Sequence, residues 1–119
     1  MARILLADDD RGALDFVRRA LELDGHAVAT AEDGNEALGL FAKTAFDVLV
    51  TDVQMPGLDG ISLVEMALSQ TPGLRVVMMS GYPEILEKAR GLKAPAIRFV
   101  PKPFTIEQLR SEIRAVLAG

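Results

Sequence analysis

The chain contains no cysteine, which excludes disulfides and thiolate metal sites. It also lacks any excess of basic residues. Its 13 Lys and Arg stand against 17 Asp and Glu, for a formal net charge of -4. An acidic chain without a basic face is not expected to bind nucleic acid directly. No apolar run is long enough for a signal peptide or a membrane span, so no membrane association is expected and a cytoplasmic location is. Low-complexity stretches, repeats and Gly/Ser linkers are missing too. The 119 residues therefore read as one domain, 1–119, with no output domain.

What is present is a set of five short apolar runs: Ile4 to Ala7, Ala27 to Ala29, Val48 to Val50, Val76 to Met79 and Ile97 to Val100. Each is too short for a helix and reads as a strand. Unbroken apolar runs imply burial on both faces, as in a parallel sheet covered by helices. The second run is made of small residues and the fifth carries Arg98, so those two are expected at the sheet edges.

Helical patterns alternate with the strands. Leu14, Val17 and Leu21 form an apolar stripe that Gly25 stops. Asp33 with Glu36 and Thr105 with Gln108 have capping-box spacing. Asp59 is placed to cap the helix that carries Ile61, Leu63, Val64 and Leu68, and Asp10 to cap the first helix. Between Pro83 and Ala96 the breakers Gly91 and Pro95 predict a short or irregular helix. Five β-α units with right-handed crossovers give an α/β doubly wound sheet of strand order 2-1-3-4-5. Ligands bind such sheets at the carboxyl ends of the strands, near the switch point.

The residues expected at those ends are polar and specific. Asp8, Asp9 and Asp10 follow the first strand, Asp52 the third, Ser80 the fourth and Lys102 the fifth. Clustered carboxylates suit a hard divalent cation such as Mg2+, which takes oxygen ligands and keeps waters for a phosphoryl group. A carboxylate can also act as nucleophile and become an aspartyl phosphate. The metal and Lys102 would neutralise charge on the transferred phosphoryl oxygens, and Ser80 would hydrogen-bond them. The constellation reads as phosphoryl transfer onto an Asp. His26, the single histidine, begins the second strand away from these ends and is expected to be neither phosphodonor nor ligand. Met78 and Met79 read as core.

The acidic pair Asp8-Asp9, the Asp52 of "DVQMPGLDG", Ser80 after the fourth strand and the Lys102-Pro103 of "KPF" occur in that order across the whole chain. In this the sequence resembles two-component response-regulator receiver domains of CheY-like (flavodoxin-like) fold. The resemblance implies that Asp52 accepts a phosphoryl group from a phosphohistidine on a histidine kinase or histidine phosphotransfer protein. It implies that Asp9, Asp52 and the main-chain carbonyl of Gln54 bind Mg2+ (or Mn2+), with Asp8 acting mainly through a water. Lys102 would pair with the phosphoryl group, Ser80 would move toward it, and Phe99 would change rotamer as a switch aromatic. The Lys102-Pro103 peptide would be cis. Phosphorylation would then alter a protein-binding surface on the fourth helix, fifth strand and fifth helix, in a monomer or weak dimer that is not a turnover enzyme. The opening "MARILLA", the missing output domain and the irregular segment before "KPF" are also similar to CpdR-type stand-alone receivers. That family controls substrate delivery to an ATP-dependent protease.

Gln54 and Tyr82 lie two places after Asp52 and Ser80 and are expected to tune access to the phosphoryl group. Two rival readings stand beside this one. Asp8-Asp9-Asp10 contains the Asp-x-Asp of haloacid-dehalogenase-type phosphotransferases, which would make Asp8 the nucleophile. A receiver used only as a non-phosphorylated interaction module is the other.

Overall fold

The computed structural model describes residues 1–92 and 96–118. Along the chain run β1 (Arg3–Ala7), α1 (Arg11–Leu23), β2 (Ala27–Ala31), α2 (Gly34–Lys43) and β3 (Val48–Asp52). They are followed by α3 (Gly60–Gln70), β4 (Arg75–Ser80), α4 (Pro83–Ala89), β5 (Ala96–Pro101) and α5 (Ile106–Ala118). The strands form one sheet in the order β2-β1-β3-β4-β5, and every pair is parallel.

Strand alternation sorts the apolar side chains onto two cores. Leu5, Leu49, Val76 and Met78 pack under α2, α3 and α4 with Phe41, Leu63 and Val64. Ile4, Leu6, Val50, Val77 and Met79 pack on the other face with Leu14 and Leu21 of α1 and Leu109 and Ile113 of α5. The middle strands are thus sealed on both sides, while β2 and β5 form the edges. β1 lies between β2 and β3, and the chain crosses from one side of it to the other after β2, so a crevice opens at the carboxyl ends of β1 and β3. Among the described residues no helix is long and apolar enough to cross a membrane.

Several strands outrun their apolar cores. β3 continues through Thr51 and Asp52, which take ladder places beside Met78 and Met79. β2 likewise extends to Thr30 and Ala31, opposite Leu6 and Ala7. Thr51, Asp52 and Ala31 are buried as well, so the strand ends are set by how far the backbone ladder runs and not by where the apolar run stops.

The helix starts follow their capping residues. The Asp10 carboxylate accepts from the N–H of Gly12 (3.0 Å) and of Ala13 (3.2 Å). Asp59 caps α3 through Ser62 N–H at 2.8 Å. Thr105 and Gln108 make the reciprocal pair of a capping box. The second expected box is altered. Asp33 accepts from Glu36 N–H, but the Glu36 carboxylate reaches one residue further back, to Glu32 N–H, at 2.7 Å. The segment between Pro83 and Ala96 does form a short helix, the seven residues of α4. Gly91 follows it in a turn, donating to the Lys88 carbonyl, and Pro95 lies outside the described residues. His26 sits at the start of β2, where its Nδ1 accepts from Ala2 N–H at 3.1 Å.

Replacing Asp10 with alanine is expected to cost about 1 kcal/mol, because two first-turn N–H groups lose their acceptor. Asp10→Asn keeps an acceptor and should cost less. Urea denaturation of both variants checks the difference.

Candidate functional site

Four strands deliver side chains or backbone to the crevice. Asp52 is the last residue of β3 and Ser80 the last of β4, while Asp8 and Lys102 each follow their strand directly. Backbone bonds carry the sheet past its formal ends. Asp8 N–H donates to the Ala31 carbonyl at 3.1 Å, Val53 N–H to Met79 at 2.9 Å and Lys102 N–H to Ser80 at 2.8 Å. The positions of Asp8 and Lys102 are therefore set by the same ladder that builds the fold.

Asp8 and Asp52 are held alike. One oxygen of each accepts from the backbone two residues on, Asp8 from Asp10 at 3.0 Å and Asp52 from Gln54 at 3.1 Å, the local turn that Asp favours. The other oxygen of each faces Lys102, whose Nζ stands 3.2 Å from Asp8 Oδ2 and 2.8 Å from Asp52 Oδ2. Asp8, Asp52 and Ser80 are buried, whereas Asp9 is exposed. The Lys102–Pro103 peptide is cis.

This charge balance is unequal. Burial pushes the Asp8 carboxyl above its usual value, and the neighbouring Asp52 charge adds to the rise. The Asp10 amide and Lys102 oppose it without cancelling it. Burial pulls Lys102 down, but its pairing with Asp52 and Asp8 outweighs that and holds the ammonium above the usual lysine value. Asp8, Asp9 and Asp52 each offer an oxygen within 4.8 Å of the others. One ammonium cannot neutralise them all. An all-oxygen, net-negative cluster with one member open to solvent fits a hard divalent cation that keeps part of its water shell.

The other expected residues lie around this cluster. The Ser80 hydroxyl accepts from Tyr82 N–H at 3.0 Å, so it is engaged with its own turn. Tyr82 is exposed, and Gln54 is exposed in a cleft of about 610 Å³ shared with Asp9, Met55, Ile85 and Lys88. A Cβ at Gly81 would make only an ordinary contact with Lys102 Cβ at 3.8 Å. Phe99 pairs with Met78 across the sheet and packs partly buried on the α4 side of the core. The Arg90 guanidinium lies 5.3 Å from its ring centroid. That contact had no signal in the sequence, because Arg90 lies beyond the end of a helix with no readable stripe. Asp10 is used as a helix cap, which removes it from an Asp-x-Asp pair with Asp8.

Two glycines were also missed. A Cβ at Gly60 would collide with the Asp52 carbonyl oxygen and stand 2.8 Å from Val53 Cα. One at Gly34 would collide with the Leu58 carbonyl oxygen. Both positions were readable only as part of a capping motif.

The family model described as "Response regulator receiver domain" matches residues 4–114. Response regulator MprA of Mycolicibacterium vanbaalenii is 39% identical over 115 residues, 97% of this chain and 50% of that protein. The chain thus spans about half the length of the curated relatives it matches. Among solved structures, chemotaxis protein CheY4 of Vibrio cholerae is 31% identical with a TM-score of 0.87, covering 98% of each chain. The receiver domain of the Francisella response regulator 1452 is 33% identical with a TM-score of 0.87, covering 99% of this chain and 98% of that one.

The electrostatics of Asp8 give a prediction. Since folding raises its pKa, its ionised form is penalised in the folded chain. That penalty is complete above the folded-state pKa and disappears as pH falls through it toward 3.8. Asp8→Asn removes the penalty and keeps an acceptor for Asp10 N–H. In metal-free buffer at about pH 7 the variant should be at least as stable as the parent, with the gap closing as the pH is lowered. Urea midpoints measured across that range check it.

Proposed function

Because the chain belongs to the response regulator receiver domain family, we propose that Asp52 is its phosphoacceptor and that the Asp8–Asp9–Asp52–Lys102 cluster is the phosphoryl-transfer site. Receiver domains are signalling domains of phosphorylation-based two-component systems. They take the phosphoryl group from histidine kinases or histidine phosphotransfer proteins. The observation that carries the assignment is the Lys102 ammonium, 2.8 Å from Asp52 Oδ2, beside carboxylates grouped closely enough to share one cation.

In the proposed step an Asp52 carboxylate oxygen attacks phosphorus. The bond from phosphorus to the partner's imidazole nitrogen breaks, and the electron pair leaves with the imidazole. Asp9, Asp52 and the Gln54 main-chain carbonyl would hold Mg2+ (or Mn2+), with Asp8 acting through a water. The bound ion supplies positive charge to the phosphoryl oxygens. Phosphorylation uses up the Asp52 charge that Lys102 now faces, so the ammonium turns to the incoming phosphoryl oxygens at little cost in reorganisation. Ser80 exchanges its bond to Tyr82 N–H for one to the phosphoryl group, and Phe99 responds to the space that this movement leaves.

Phosphorylation then biases an existing two-state equilibrium. The responding surface in this reading is α4, β5 and α5, the face where Arg98 pairs with Glu112 at 2.9 Å and Arg90 covers Phe99. A downstream protein would recognise it. The same two-state logic gives the domain no substrate to turn over.

Incubation with acetyl phosphate and Mg2+ followed by mass spectrometry of the intact protein tests the assignment. A single phosphoryl adduct is expected in the parent and none in Asp52→Asn. An adduct that survives Asp52→Asn and disappears in Asp8→Asn would instead make Asp8 the nucleophile. Gln54 and Tyr82 lie two residues after Asp52 and Ser80, and among the described residues the Asp52 carboxylate accepts from the Gln54 backbone N–H and from neither side chain. Replacing both should change the dephosphorylation rate while leaving the labelled residue the same. An unchanged rate sinks their role in tuning access.

A further inference from the structure

The carboxyl end of β2 contributes no acid, hydroxyl or ammonium to the site, yet it touches both loops that do. On one side the Ala31 carbonyl accepts from Asp8 N–H at 3.1 Å. On the other, Gly34 in the first turn of α2 is buried against Leu58 of the β3–α3 loop. A Cβ there would overlap the Leu58 carbonyl oxygen and stand 2.8 Å from Leu58 Cβ and 3.0 Å from its carbonyl carbon. Backbone blocks it, so no side-chain rotation relieves the overlap.

The turn behind Gly34 is held by side-chain to backbone hydrogen bonds. Asp33 accepts from Glu36 N–H and Glu36 accepts from Glu32 N–H, both at 2.7 Å. Glu32 also pairs with Arg11 of α1 at 2.6 Å. The loop in front is short and tightly bent. Gly57 has φ +75°, and Gly60 N–H donates to the Val53 carbonyl at 2.8 Å. At its far end the backbone of Gly60 lies against the Asp52 carbonyl. A close-packed interior transmits a push of this kind instead of absorbing it. Displacing Leu58 therefore shifts the segment that includes Gln54, whose N–H holds Asp52 Oδ1.

We propose that Gly34 is a positioning residue for the phosphoryl-transfer site: its bare backbone seats the β3–α3 loop, and so fixes the Asp52 carboxylate and the Gln54 backbone for the cation. The proposal rests on the function assigned above to Asp52. It makes the β2–α2 turn a determinant of cation affinity, although none of its residues is a ligand.

The test uses the full chain and compares Gly34→Ala with Gly39→Ala, in the same helix, where a Cβ meets nothing within 4 Å. The Mg2+ concentration for half-maximal labelling by acetyl phosphate should rise about 10-fold in Gly34→Ala, the range found when outer partners of metal ligands are lost. It should stay at the parent value in Gly39→Ala. Val116→Ala, a core truncation near the end of α5, should lower the unfolding temperature without moving the Mg2+ requirement. That separates positioning from general destabilisation. Mn2+ affinity read from the free-ion EPR signal should weaken in parallel in Gly34→Ala. A folded Gly34→Ala with parental Mg2+ and Mn2+ requirements overturns the proposal. Should Gly34→Ala fail to fold, Leu58→Gly takes its place, since it removes the Leu58 Cβ from the contact and loosens the loop backbone on the other side of it. Faster hydrogen exchange over residues 53–58 with weaker Mn2+ binding then supports the seat, and parental values for both overturn it. A parent chain that acetyl phosphate never labels counts against the functional reading instead, and hydrogen exchange still decides the seat.

Discussion

Lys102 between Asp8 and Asp52 is the interaction that the rest of the structure is arranged to permit. Its partners lie 94 and 50 residues away in sequence, so the contact exists only when β1, β3 and β5 are all in register. A buried carboxylate without a partner is costly, and two side by side cost more. The ammonium offsets that cost in part, and the raised Asp8 pKa is the remainder. The sealed core beneath, with Leu5, Leu6, Leu49 and Met79 essentially without solvent contact, supplies the burial that keeps this charge imbalance from being screened by water.

An incompletely neutralised cluster is also a responsive one. If Lys102 met every acidic charge, neither a cation nor a phosphoryl group would gain much by entering. With three carboxylates drawn together and one ammonium, added positive charge is favoured. The geometry also explains why the lysine is held on β5. Its backbone N–H is tied to the Ser80 carbonyl, so a change in what Nζ faces is felt where β4 and β5 end together. Under the proposed function those two strand ends carry the signal away from Asp52.

Much of this was legible in the sequence, for identifiable reasons. Apolar runs marked the strands because both faces of β1, β3 and β4 are covered. Their order followed from right-handed crossovers, and the polar residues just beyond each run fell at one edge of the sheet. Capping residues were readable because their chemistry is local. What could not be read depends on approach between distant backbones or on geometry beyond a spacing pattern. Gly34 and Gly60 look like ordinary helix-start residues until Leu58 and Asp52 are seen against them. The spacing of Asp33 and Glu36 implied a reciprocal box, yet the Glu36 side chain settled on Glu32 N–H. Arg90 over Phe99 joins a post-helix turn to an edge strand, and no periodicity announces such a contact.

The two edges of the sheet are built differently. On the β2 side α1 and α2 start at aspartate caps, Arg11 of α1 pairs with Glu32 of the β2–α2 turn, and Gly34 lies in backbone contact with the β3–α3 loop. On the β5 side α4 has seven residues and opens on Pro83. A helix that short has little stability of its own and depends on what it packs against. Part of that packing is Phe99, under the Arg90 guanidinium. Under the proposed function, the acids that would hold a cation are thus braced from the β2 side. α4, the shortest helix among the described residues, lies between Ser80 and Phe99, where under the proposed function a change at the site has least to overcome. A uniformly rigid sheet would bind the ion and report nothing, and a uniformly soft one could not bring Lys102 to both carboxylates.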